Sequence, residues 1–295
     1  LIVKIYLSFR QSNTVKALSN SVPERFISSI NLADHQKAAN YTIEKQRLAR
    51  FSAVVDFALL FSFLFLDGFK LILDFVSNFS ISPIFLGIFF IYVVILITNI
   101  IELPFSLYKT FILENKYGFN KMTFKLWCFD LLKSTIIGLI FMTPILYLLL
   151  FFFENLSSLW WFYSWALIVI TAVFLQYIAP TFIAPIFNKF KPIEDIELKS
   201  KLENLLSKCG FRSNGMFVMD GSTRSSHGNA YFTGFGSSKR IVFFDTLLSK
   251  LSHSEIEAVL AHELGHFKKN HVKKRLFLML VLSFFFFYIL GFFHT

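Results

Sequence analysis

AHELGHFKKNHVKKRLFLMLVLSFFFFYILGFF, residues 261–293, joins two patterns that decide the fold class. Residues 276–293 form an apolar run without a single charge, which is long enough to cross a bilayer as a helix. The pattern H-E-x-x-H stands directly upstream, separated from the run by a group of basic residues that is typical of a membrane boundary. The sequence therefore predicts a membrane protein that carries this motif close to the membrane surface.

The H-E-x-x-H pattern places metal-binding side chains on one face of a helix. Because an α-helix has 3.6 residues per turn, His262 and His266 lie one above the other and can reach a single zinc ion. Glu263, the neighbouring residue, is placed to act as the general base of a zinc peptidase. Ser252 and Glu255 form an S-x-x-E capping box, which supports a helix over the motif. We therefore expect one Zn²⁺ per chain, bound by the two histidines.

A catalytic zinc site needs a third protein ligand, and the sequence offers none. Extended motifs place a third histidine where this chain has Val272, and no Asp or Glu follows Glu263. His271, nine residues after His262, would face away on a continuous helix, which makes it a surface residue or one that lies behind the ligands. We expect the chain to be a piece of a longer protein, with a third ligand beyond Thr295.

The composition indicates several further membrane helices. The chain is 55% hydrophobic and 16% charged, and its mean hydropathy is +0.59. Apolar runs of spanning length cover residues 51–66, 81–101, 134–153 and 159–187, with a partial span at 1–9. The run at 159–187 is predicted to break as a helix at Pro180 and Pro185. The expected architecture is mainly α: a multi-pass integral membrane helix bundle.

The basic residues predict the orientation of these helices. Segments 10–50, 102–133 and 188–275 hold 27 of the 29 Lys and Arg residues, and alternation of the spans puts all three on one side. The positive-inside rule makes that side cytoplasmic. The net charge of +10 is thereby explained by topology, and no nucleic-acid partner is expected.

The region before the motif is predicted to be a small mixed domain. An amphipathic helix is predicted over residues 193–206, and strands are predicted at 216–220, 230–235 and 240–245, with a turn at 236–238. The apolar face of the helix comprises Ile196, Leu198, Leu202, Leu205 and Leu206. We therefore divide the chain into a membrane-helix region, residues 1–187, and a zinc-peptidase region with a zincin-like H-E-x-x-H helix, residues 188–295.

The segment HGNAYFTGF, residues 227–235, is a candidate sheet edge at which an extended substrate peptide could add main chain to main chain. Asn229 could offer its side-chain amide to the peptide backbone. A plain hairpin with a turn asparagine explains the same residues equally well, and the pattern does not choose between the two interpretations.

The chain resembles the type I CAAX prenyl protease family, which comprises integral-membrane zinc endopeptidases. The similarity extends well beyond HELGH. Its longest motifs are YGFNKMT at 117–123, APIFNKFKPIED at 184–195, DGSTRSSHGNAYFTGFGSSKRIVFFDTLL at 220–248 and EIEAVLAHELGHFKKNH at 255–271.

This resemblance implies seven membrane helices around a large intramembrane chamber, with a zinc site that faces it from the cytoplasmic side. It implies His262 and His266 as ligands, Glu263 as general base, and Asn229 with the following Ala230 and Tyr231 as substrate-binding residues. The family's third ligand is a Glu in an E-F-x-A-D motif, which has no counterpart in this sequence.

We therefore expect a membrane-embedded zinc metalloendopeptidase that acts on a membrane-associated or prenylated protein substrate. Two alternatives stay open: a heat-shock-type membrane quality-control zinc protease, and a catalytically silent membrane scaffold. The style of the motif and the bias toward Phe and Lys favour a bacterial inner membrane, with the endoplasmic reticulum membrane as the location if the protein is eukaryotic.

Overall fold

A computed structural model describes residues 1–156, 158–211, 213–233 and 240–294. The chain divides into two compact units, Leu1–Asn120 and Lys121–Thr295. The predicted turn at 236–238 and the end of the predicted strand 230–235 lie outside the described residues. The predicted domain boundary at 187/188 stays a prediction.

The first unit is built from helices. Its long helices are α1 (Ile2–Leu18), α2 (Leu32–Phe65), α3 (Gly68–Ser77) and α4 (Pro83–Leu107). A π-helix, Tyr108–Leu113, continues α4 into the short α5 (Glu114–Lys116). A single 3₁₀ turn, Glu24–Phe26, lies between α1 and α2.

Helix α2 begins where its sequence supplies a cap. The Asn31 side chain accepts a hydrogen bond from the Asp34 N–H at 2.8 Å, which satisfies one of the free N–H groups of the first turn. Helix α1 is joined to α2 by polar contacts, because the Arg50 guanidinium donates to the hydroxyls of Ser8 and Ser12 at 3.2 and 2.8 Å. Helix α2 then continues without a break from this cap into the first predicted span.

The second unit begins with the membrane helices α6 (Phe124–Asn155) and α7 (Trp160–Ile178). The expected breaks at Pro180 and Pro185 are both wrong, because a π-helix, Ala179–Ile183, carries α7 on into α8 (Ala184–Phe187), which contains Pro185. The wider π turn removes the need for the N–H group that proline lacks. The result is one apolar helix, Trp160–Phe187, of 28 residues.

A four-stranded sheet with one helix follows. Its strands are β1 (Phe190–Pro192), β2 (Met216–Met219), β3 (Ala230–Thr233) and β4 (Arg240–Phe244), and helix α9 (Ile196–Lys208) lies between β1 and β2 in sequence. The order across the sheet is β1-β2-β4-β3, with β2 and β4 parallel and the other pairs antiparallel. The predicted strands are confirmed over residues 216–219, 230–233 and 240–244, whereas Asp220 and Asp245 lie just beyond the ends of their strands. Strand β1 was missed because three residues carry no readable alternation.

The chain then runs through α10 (Asp245–Leu248), α11 (His253–Lys268) and α12 (His271–His294). Helices α9 and α11 bury their apolar faces in one core with the sheet; its most buried side chains include Leu202, Ile241, Phe243, Ile256 and Leu260. The expectation that Ile196 belongs to the buried face of α9 is wrong, since it is 84% exposed. Ile196 is the first residue of α9, and the buried residues of this helix begin at Leu198.

Within the described residues, five helices are long and apolar enough to cross a membrane. They are Leu32–Phe65, Pro83–Lys116, Phe124–Asn155, Trp160–Phe187 and Lys273–Phe293. In each, at most 6% of the most apolar stretch is buried within the chain, so these side chains are left to contact lipid. Each of the five full spans predicted from sequence falls largely within one of these helices, and the chain is a multi-pass integral membrane protein.

Candidate metallopeptidase site

Helix α11 presents the H-E-x-x-H residues on its open face. Ile256, Leu260 and Leu264 are buried against the sheet and α9, whereas His262 and His266 are exposed. The two faces follow from the helical period, because residues two positions apart point in nearly opposite directions. The apolar residues therefore anchor the helix while both imidazoles stay accessible.

The start of α11 is held by its neighbours. The Glu255 carboxylate accepts hydrogen bonds from the Ser252 hydroxyl and N–H at 2.7 and 2.8 Å, and these bonds hold the pKa of Glu255 below its usual value. His253 lies 3.0 Å from the carboxylate of Asp195, which caps α9. The Leu198 N–H bound to Asp195 is the main reason why the pKa of that carboxyl is also lowered. The carboxylate half of the predicted capping box is thus present.

The two histidines converge at a spacing that suits zinc. Their Nε2 atoms are 3.2 Å apart, and their rings meet edge to face with centroids 4.9 Å apart. Two nitrogens bound to one tetrahedral zinc, at Zn–N distances of about 2.0–2.1 Å, lie about 3.3–3.4 Å from each other. The donor pair therefore fits two positions of a zinc site.

The rest of the expected site is only partly present. The Glu263 side chain, half-buried beside His262, makes no hydrogen bond or ion pair with any other described residue. Nowhere in the described part of the chain do three or more His, Cys, Asp or Glu side chains group closely enough to hold a metal. The histidine pair and the adjacent carboxylate are thus brought together without a third protein ligand.

Strand β3 forms an edge of the sheet, as the sequence suggested for the segment around Asn229. Its register pairs Ala230 with Phe243 and Tyr231 with Val242. The Phe244 N–H donates to the Asn229 carbonyl at 2.9 Å, which makes Asn229 and Phe244 a hydrogen-bonded pair. In an antiparallel ladder such pairs alternate, so Tyr231 also bonds to β4. The main-chain groups of Ala230 and Phe232 therefore point toward the open edge.

The three candidate substrate-binding residues have different surroundings. The Asn229 side-chain oxygen accepts the outward N–H of Ala230 at 2.9 Å. The Tyr231 ring lies over the sheet near Phe244, with its hydroxyl 3.9 Å from the Met219 sulfur, and burial raises the pKa of the Tyr231 phenol. This placement argues against main-chain pairing of Tyr231 with a substrate and favours Phe232, which sequence analysis did not single out.

Arg224 anchors the loop before β3, and sequence analysis missed it. Its guanidinium donates two hydrogen bonds to Asp130 on α6, at 2.7 and 3.0 Å, and a third to the Asn188 side chain at 3.0 Å. Thr246 also donates its hydroxyl to the His227 carbonyl at 2.8 Å. The partners are distant in sequence, so no local pattern could have indicated them. Together they hold the start of the edge strand in place.

Fold and site together define a class: a multi-pass membrane protein in which an H-E-x-x-H helix of the zinc-peptidase type follows a small sheet. Comparison with family models gives the particular family. The model described as CAAX prenyl protease N-terminal, five membrane helices, matches residues 11–189, and the model of peptidase family M48 matches residues 192–294. The chain belongs to the CAAX prenyl protease family of M48 peptidases, which confirms the resemblance in its motifs.

Individual relatives show the same similarity over most of the chain. CAAX prenyl protease 1 of Saccharomyces cerevisiae is 38% identical over 283 residues, which cover 90% of this chain and 61% of the yeast protein. The CAAX prenyl protease 1 homolog of Arabidopsis thaliana is 34% identical, covering 96% of this chain and 68% of the plant protein. The chain thus spans about three fifths of the yeast relative's length and about two thirds of the plant relative's.

A solved structure supports the fold. The crystal structure of S. mikatae Ste24p superposes with a TM-score of 0.91 at 36% sequence identity. The match covers 98% of this chain and 68% of that protein. The helices and the sheet described above are therefore those of this family.

Proposed function

We propose that this protein is a membrane-embedded zinc metalloendopeptidase that hydrolyses peptide bonds in membrane-associated or prenylated, CAAX-type proteins. The observation that carries the proposal is the convergence of the His262 and His266 Nε2 atoms to 3.2 Å beside Glu263. It occurs in a chain whose relatives are named CAAX prenyl protease 1. The family match favours this function over that of a heat-shock-type membrane protease.

His262 and His266 would hold one Zn²⁺ through their Nε2 atoms, and the family resemblance makes the third ligand a glutamate. Zinc bound there would supply Lewis acidity, which polarises a peptide carbonyl and acidifies a water molecule. Glu263 would accept a proton at its carboxylate and deliver it to the leaving amine. A carboxylate without a competing partner in the described residues is free to take up this role.

The open edge of β3 would hold the peptide in an extended conformation. Phe232 can offer its N–H and C=O groups, and Ala230 its C=O group, to a peptide that lies alongside. Asn229 would add a side-chain donor next to them. Main-chain pairing of this kind binds a substrate with an affinity that depends little on its side chains. This suits a protease that cleaves varied sequences.

The zinc-peptidase region, residues 188–295, would face the cytoplasm, because the three basic segments fall on one side of the predicted spans. Yeast and plant relatives favour the endoplasmic reticulum membrane over a bacterial inner membrane. The expected partners are a peptide or lipidated protein substrate and the lipid bilayer itself.

The function can be tested with Glu263→Gln in the full-length protein purified in detergent. We expect about one zinc per chain in both variant and wild type, and cleavage of a prenylated CAAX peptide reduced by a factor of about 100 or more in the variant. Zinc content is measured by atomic emission and cleavage by mass spectrometry. Glu257→Gln is the matched control, since Glu257 lies on the same helix and pairs with Lys201 at 3.5 Å.

Undiminished cleavage by the zinc-loaded Glu263→Gln variant would refute the assignment of the general base. A wild-type protein without zinc would instead support the catalytically silent scaffold. The two measurements therefore separate the enzyme from its alternative.

A further inference from the structure

The H-E-x-x-H helix ends just before the last membrane helix begins, and the corner between the two helices has a specific geometry. Helix α11 ends at Lys268, Asn270 takes a left-handed conformation with φ of 55°, and α12 begins at His271. Asparagine tolerates this conformation better than most residues. The continuous helix assumed for His271 is interrupted at Asn270, and of the two placements expected for this residue the structure shows the one behind the predicted ligands.

The corner brings His271 against the second predicted ligand. The Nδ1 atom of His271 lies 2.9 Å from the Nδ1 atom of His266, and the two rings meet edge to face at 5.0 Å. The other ring nitrogen of His266, Nε2, faces His262. His266 therefore has one nitrogen directed at the metal position and the other at His271.

The protonation of the two rings follows from this arrangement. A neutral imidazole that binds a metal through Nε2 carries its proton on Nδ1. With a metal on Nε2, the His266 Nδ1–H would donate to the Nδ1 of His271, which lies at hydrogen-bonding distance from it. A ligand histidine whose second nitrogen donates to a fixed acceptor is held in one tautomer and one orientation.

We propose that His271 is a positioning residue that accepts the Nδ1–H of His266 and so keeps the Nε2 of His266 directed at zinc. This proposal rests on the zinc site of the proposed function and adds a residue to it. His271 is not itself the third ligand, because its Nδ1 meets the side of the His266 ring that is turned away from His262. The acceptor for the His266 Nδ1–H is thus a neighbouring histidine, whereas carboxylates and carbonyls are the commoner partners of metal-binding histidines.

The proposal is tested by zinc affinity, which does not depend on turnover. We would compare His271→Leu, which lacks an acceptor, with His271→Asn, whose amide oxygen can take the place of Nδ1. Zinc dissociation constants come from competition with a chelator, and the absorption spectrum of the Co²⁺-substituted protein reports the ligand geometry. His35→Leu is the control, since His35 lies on α2, away from the H-E-x-x-H helix in sequence, and its Nε2 lies 3.1 Å from the Leu18 carbonyl oxygen.

We expect zinc affinity about 10–100-fold weaker in His271→Leu, together with an altered cobalt spectrum, and affinity and spectrum close to wild type in His271→Asn. Wild-type affinity in His271→Leu would overturn the proposal while leaving the zinc site intact. Equal weakening in both variants would overturn it as well, because a role in packing alone is not rescued by an acceptor. A wild-type protein that binds no zinc would overturn the proposed function and this proposal together.

Discussion

At the scale of single residues, Asn229 is proposed to help the edge of β3 bind a substrate peptide. Its oxygen is occupied by the Ala230 N–H, whereas its Nδ2 group donates to no other residue in the ranges that the structure describes. Since the Asn229 main chain is tied to β4 through Phe244, the side chain cannot move far. The amide N–H₂ group is thus held next to the outward main chain of β3, where a substrate carbonyl would approach.

Asn229→Ala should therefore weaken substrate binding without affecting the metal. Loss of one neutral hydrogen bond costs about 0.5–1.5 kcal/mol, so we expect kcat/KM to fall about 2–10-fold, mainly through KM, with unchanged zinc content. Steady-state cleavage of a CAAX peptide measures this effect. Asn204→Ala, on the exposed surface of α9, is the matched control. An unchanged KM would exclude Asn229 from the substrate edge.

At the scale of elements, the corner between α11 and α12 can keep His271 beside His266 only if α12 is fixed by its own packing. Helix α12 packs on α7 through aromatic contacts of Trp161 with Phe284 and Tyr288, at centroid distances of 5.6 and 5.3 Å. The Trp165 indole also donates to the Ser283 hydroxyl at 3.2 Å. Close approach requires a small residue at Gly291, because an added Cβ would lie 2.5 Å from the Trp161 Cγ atom. This packing steadies the helix that begins with His271.

Gly291→Ala should separate α12 from α7. Overpacking of this kind costs about 1–3 kcal/mol, which we expect as a lower melting temperature of the detergent-solubilised protein. Gly138→Ala is the matched control, since its added Cβ meets no described atom within 4 Å and alanine is the better helix former. If the Gly291→Ala and Gly138→Ala variants had the same melting temperature, the contact between Gly291 and Trp161 would not determine how stably α12 packs on α7.

At the scale of the whole molecule, charge and hydropathy act together. The side chains of the apolar spans are mostly exposed on the protein surface. Nearly all the basic residues lie in the three long segments, 10–50, 102–133 and 188–275. By the positive-inside rule, we propose that these segments lie on the cytoplasmic side. The sheet and the H-E-x-x-H helix belong to the last of these segments, so the proposed site shares that orientation.

This orientation predicts where a thiol reagent can reach the protein. The sequence has two cysteines, Cys128 and Cys209, and both are exposed. In Cys128→Ser, the remaining Cys209 lies just after α9 and should react with a membrane-impermeant maleimide only when the cytoplasmic face is open to the reagent. Labelling from the opposite face of sealed vesicles would reverse the proposed topology. Wild type, with both thiols, serves as the control.

The sequence by itself determined the features that depend on short range. A run of apolar residues must be buried in lipid or protein, so the five spans could be predicted directly. His262 and His266 share a helix face because four residues make about one turn, whatever surrounds the helix. The long motifs shared with the prenyl proteases likewise indicated the family, because such motifs are strings of neighbouring residues that need no knowledge of tertiary contacts.

Only the tertiary structure decided which groups meet. The edge position of β3 follows from its pairing with β4 alone, and the outward main chain of Phe232 follows from the register of that pair. Arg224 reaches Asp130 across 94 positions of sequence. His271 lies beside His266 because Asn270 adopts a positive φ. The difference in free energy between a continuous helix and a corner at Asn270 is too small to be predicted from the local sequence. The packing of α11 on the sheet and of α12 on α7 stabilises the corner relative to a continuous helix.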